Sequence, residues 1–89
     1  MKDQFHLDKK RTLQNLRTLR NLLDVSVKEG MVDTDARLYN QILALLDDAH
    51  IVKTEEELQE AISKGKTLER DIDAWLSLHG QTTIGLPWP

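Results

Sequence analysis

Apolar residues recur at the helical period in three stretches of this 89-residue chain, and no other feature of it constrains the fold as much. In the first stretch Leu13, Leu16, Leu19 and Leu23 fall on one arc at about 100° per residue, and Val27 continues it. Leu22 widens that arc to roughly half of the helical cylinder, more than a single neighbour covers, so this helix expects two partners. A local duplication accounts for part of the width: Arg11–Leu16 (RTLQNL) is followed directly by Arg17–Leu22 (RTLRNL). Six residues are not a whole number of turns, so the second copy is rotated by about 120° from the first and the leucines fan out.

The punctuation between the stretches sets the helix boundaries. The first helix is expected from Asp8, as N-cap, to about Glu29, with Gly30 as C-cap. The second is expected to start after Met31 and Val32, with Asp33 as N-cap and Asp35 in the first turn, and to end near His50, with Leu38, Ile42, Leu45, Leu46 and Ala49 as its apolar stripe. Ile51 and Val52 are expected to fold back as a buried connector. The third start is the clearest, because Thr54 followed three residues later by Glu57 is a capping box. Its stripe runs Leu58, Ala61, Ile62, Gly65, Leu68, Ile72, Trp75, Leu76 and His79, and Gly80 ends it. Gly65 lies on the apolar face in mid-helix. The stripe keeps its phase across it, so a continuous helix is expected, with a packing reason for a residue that costs about 1 kcal/mol relative to alanine.

Residues 81–89 (QTTIGLPWP) carry two prolines, one glycine and no charge, while Ile84, Leu86 and Trp88 keep the segment apolar. It should be extended or polyproline-like, and either pack on its own bundle or meet a partner. The expected architecture is therefore all-α: a three-helix antiparallel bundle over residues 1–80 with an extended apolar C-terminal tail over 81–89.

The chain has no cysteine, which removes disulfides and thiolate chemistry together, so stability rests on helix packing and on possible self-association. No apolar run approaches the roughly 20 residues of a membrane span, and the N-terminus lacks the apolar stretch of a signal peptide; the expected location is cytoplasmic. The net charge of −3 divides unevenly, with seven Lys/Arg against four Asp/Glu in residues 1–30 and five against eleven in the remainder. A basic first helix facing an acidic remainder is read first as attraction between helices.

Chemistry-bearing constellations are sparse. His6, His50 and His79 are scattered without facing ligands, so no metal site is expected, and His50 and His79 stand at helix C-termini where the dipole favours an imidazolium. Glycines occur singly, without a phosphate-cradling loop, and no cofactor is expected. Ser26, Ser63 and Ser77 have no histidine at working distance, so no catalytic residues are assigned and an enzyme is not expected. Glu69 lies about 20° from Leu58 near the centre of the third stripe. A carboxylate there needs a partner, and Arg20, at the edge of the first helix's arc, is the expected one in a buried ion pair.

The stretch Leu45–Ile62 has the cadence of a helix-turn-helix, but its second helix opens with four glutamates within TEEELQEAI and no cation, which phosphates would repel. Lys10, Arg17 and Lys28 do lie within about 20° of one another on the first helix and form a basic flank. The functional expectation is a protein–protein interaction module: an adaptor, a regulatory subunit or a self-associating protein. The alternative is a nucleic-acid-associated regulator working through that flank. Leu22, Tyr39 and Leu43 lie off the main stripes and, with Ile84, Leu86 and Trp88, are the expected interaction residues; a homodimer is the expected assembly, and the protein partner is otherwise unspecified.

Overall fold

A computed structural model describes residues 2–28, 33–78 and 85–89, with side chains over 4–24, 37–78 and 85–89. Three helices form an antiparallel bundle: α1 (Lys2–Lys28), α2 (Asp33–His50) and α3 (Glu55–Leu78), every pair in contact. The molecule is elongated, 44 × 22 × 17 Å, as a 27-residue helix at about 1.5 Å per residue requires. Leu16, Leu19 and Leu23 of α1, Ile42 of α2 and Leu58 and Ile72 of α3 are fully enclosed in the common core.

The repeat in α1 behaves as its rotation demands. Thr12 and Asn15 of the first copy are buried, while Thr18 and Asn21 of the second face solvent. The paired leucines exchange roles as well: Leu13 is half-buried where Leu19 is enclosed, and Leu16 is enclosed where Leu22 is half-buried. The wide arc is covered within one chain, by α2 on one side and by α3 with the tail on the other.

The start of α1 differs from expectation. The helix begins at Lys2, and Asp8 is an interior residue rather than its cap. Asp8 accepts from Gln4 Nε2 at 2.7 Å one turn earlier, and its carbonyl accepts from Thr12 Oγ1 at 2.8 Å. Phe5 packs against the core cluster, so the added turns bury apolar surface that an N-cap at Asp8 would leave outside the helix. The expected C-cap Gly30 lies outside the described residues.

The connector after α2 is half as expected. Val52 is buried, but Ile51 is 70% exposed. Their amides donate to Asp48 and Ala49 carbonyls three residues back, which closes the helix with a tighter turn. Lys9 Nζ reaches from α1 to the Val52 carbonyl at 2.9 Å and ties that corner to the first helix.

The capping box forms in both directions. Glu57 N–H donates to Thr54 Oγ1 at 3.2 Å, and Thr54 N–H donates to Glu57 Oε1 at 3.1 Å. The Thr54 hydroxyl and Lys53 N–H also donate to Glu57 Oε1, at 3.0 and 3.3 Å. α3 then runs without a break through Gly65, and its buried side is the expected stripe with Glu69 in it, except that Leu68 is only half-buried. It ends at Leu78; His79 and Gly80 lie outside the described residues.

Candidate functional site

The tail lies in the groove between α1 and α3, running back along α3 in the opposite direction. Gly85 has φ of 62°, a left-handed conformation that glycine adopts without strain. Leu86 and Trp88 each precede a proline, which holds each in the extended region. They are half-buried against the core, while Gly85, Pro87 and Pro89 are exposed. A three-residue turn around Pro87, with Trp88 N–H donating to the Leu86 carbonyl at 3.1 Å, brings the two apolar side chains to one side.

Three residues of the groove read this segment. Glu69, only 9% exposed, accepts from the Leu86 N–H through Oε1 at 2.8 Å and from the Trp88 indole N–H through Oε2. Asn15, 5% exposed, donates its side-chain amide to the Pro87 carbonyl at 3.2 Å. Gly65 supplies the space for the indole: a Cβ there would lie 2.5 Å from Trp88 Cη2 and 2.8 Å from Cζ3. Backbone donor, backbone acceptor, side-chain donor and ring are each met separately.

The Glu69–Arg20 ion pair expected from the helical wheels does not form. Both oxygens of Glu69 are engaged by the tail, and the Arg20 guanidinium donates to Asn21 Oδ1 at 3.3 Å. The wheel placed Glu69 correctly on the buried face but assigned it a helix partner, whereas its partner comes from the extended segment. Asn15 was not singled out by the sequence. Its signal is its angle, about 40° from Leu19 on the apolar arc of α1, and a polar residue there needs a bonding partner for the same reason that Glu69 does.

The other expected interaction residues are dispersed. Leu22 and Tyr39 are half-buried within the chain, and Leu43 is 36% exposed on α2. Tyr39 donates its hydroxyl to Asp24 at 2.9 Å, which joins α2 to α1 and pushes the phenol above its ordinary value of 10.0. Ile84 lies outside the described residues. Leu7, Ile51 and Leu78 are exposed apolar side chains that the periodicity did not single out. Of the basic flank, Lys10 and Arg17 are exposed, and the side chain of Lys28 lies outside the described residues.

Recesses open beside the tail and elsewhere on the bundle. The tail's groove continues past Pro89 as a recess of about 380 Å³ bounded by Gln4, Leu7, Lys10, Arg11 and Gln14. Between α2 and α3 a second recess, of about 410 Å³, is lined by Leu45, Thr67 and Leu68 together with the charged Asp48, Lys64 and Asp71. Among the described residues no three His, Asp or Glu side chains converge as metal ligands, and no helix is long and apolar enough to cross a membrane. Comparison with protein-family models, with curated proteins and with solved structures gives no match.

Proposed function

We propose that this chain is a small, non-catalytic helical protein–protein interaction module, acting in the cytoplasm as an adaptor, a regulatory subunit or a self-associating protein. One observation carries the reading: the α1/α3 groove recognises an extended segment through its backbone as well as its side chains, using Glu69 and Asn15 from within the buried face. Filling a gap in a bundle needs only apolar packing. Meeting a chain's N–H, C=O and indole one by one is how extended peptides are recognised. The exposed Leu7, Leu43, Ile51 and Leu78 add apolar surface outside the groove.

The test is sedimentation of the full chain from micromolar to near-millimolar concentration, with binding to random duplex DNA measured in parallel. Association that is insensitive to salt supports the reading. A monomer throughout that binds DNA with steep salt dependence overturns it in favour of a nucleic-acid regulator using Lys10, Arg17 and Lys28.

A further inference from the structure

We propose that the α1/α3 groove also takes the tail of a second copy of this chain, so that two copies exchange Leu86–Trp88 reciprocally and close a two-fold dimer. The inference rests on the reading of the chain as an interaction module and names the partner of that groove.

The groove's ligand is the chain's own tail. Every bond that Glu69 and Asn15 give to the segment goes to Leu86, Pro87 or Trp88, and the space at Gly65 is filled by the Trp88 ring. None of these contacts depends on which chain supplies the segment, so a second copy brings a ligand that fits atom for atom. The groove also needs an occupant. With the tail docked, Glu69 and Asn15 are more than nine-tenths buried and bonded, and undocking gives up those bonds and opens the apolar groove around them to water. Each copy has one groove and one tail, so reciprocal exchange satisfies both grooves and leaves no open end.

Tail and groove belong to one chain, and such tethering gives the tail an effective concentration on the order of millimolar at its own groove. Docking within one chain therefore dominates in dilute protein. Exchange becomes visible near that concentration, or at lower concentration when the internal contact is broken.

Two complementary variants make the test. Trp88→Ala keeps the groove and removes the ring that fills it; Gly65→Val keeps the tail and blocks the groove. Each is first checked for helix content by circular dichroism. Isotope-labelled Trp88→Ala is then mixed with unlabelled Gly65→Val at several hundred micromolar, on the order of the effective concentration. Exchange predicts that the Gly65 and Asn15 amide resonances of the labelled chain return toward their wild-type positions. It also predicts that the sedimenting mass rises toward twice that of either variant alone. Unmoved resonances and two monomers overturn the proposal.

Should a variant lose its helices, wild type decides the question. The chain has no cysteine, so a nitroxide on one cysteine appended after Pro89 marks the tail alone. Mixed with labelled wild-type chain at about 1 mM, the concentration at which exchange competes with internal docking, it should broaden the Gly65 and Asn15 amides of the other copy. No broadening overturns the proposal. Dimers in the sedimentation run without broadening would place association on another face, which sinks the exchange while leaving the interaction module standing.

Discussion

At Gly65 two opposite demands meet. In an exposed helix, alanine would be better by about 1 kcal/mol, yet a Cβ at this position intrudes on the Trp88 ring. Gly65→Ala is therefore expected to shift Trp88 emission to the red and to lower the melting midpoint, though by less than removing the tail does, because alanine favours the helix. In a Trp88→Ala background the obstacle is gone, because the next neighbour, Leu16, lies at an ordinary 3.4 Å. There Gly65→Ala should stabilise by about 1 kcal/mol, and the same cost in both backgrounds would show that the ring is not what glycine accommodates. Glu69 and Arg20 give a second contrast. Glu69→Ala removes two bonds to a charged acceptor, each worth about 1.5–3 kcal/mol, so urea unfolding should show a loss of about 2–4 kcal/mol. Arg20→Ala should stay within about 0.5 kcal/mol of wild type, as an ordinary surface change does. A large Arg20 effect would revive the ion pair.

At the scale of the element, the start of α3 is held by charge as well as geometry. Glu55, Glu56 and Glu57 occupy its first turn, where the helix dipole favours anions. The Thr54 hydroxyl, then the Lys53 and Thr54 amides, hold the Glu57 carboxyl below its ordinary value of 4.5. A carboxylate with a lowered folded pKa stabilises the fold above its unfolded value, and that contribution is lost as pH falls through the folded value. The difference in urea midpoint between wild type and Glu57→Gln should thus be widest near neutrality and close as pH is taken below 4.5. A difference independent of pH would mean that the box works through geometry alone. Helix α1 carries a related lesson about boundaries: Asp8 has the chemistry of a cap, but Phe5 has a core to pack on, and the core decided where the helix begins.

For the molecule as a whole, the tail acts as a fourth packing element where α1 and α3 stand apart. Deleting residues 82–89 removes the partners of Glu69 and Asn15 and uncovers the groove. With a loss of about 2–3 kcal/mol, of the size expected for breaking buried bonds to a charge, the melting midpoint in dilute protein should fall by about 10–20 °C. The deletion and Glu69→Ala act on the same contacts, so their effects should be well short of additive. Full additivity would show that the tail and Glu69 stabilise the bundle separately.

Local chemistry determined most of the architecture. Helical periodicity, the rotation of the RTLQNL repeat, the Thr54–Glu57 box and the persistence of α3 through Gly65 are properties of short segments, and short segments carry them. The wheel also put Glu69 on a buried face and marked Gly65 as needing a close neighbour. The identity of each partner lay beyond it. Glu69 meets a segment beginning 17 residues away at Leu86, and Asn15 meets a carbonyl 72 residues away at Pro87. Such pairings depend on how far apart α1 and α3 stand and on which way the tail turns at Gly85. Those distances follow from the packing of all three helices, and the period of any one helix is the same whichever groove is left open beside it.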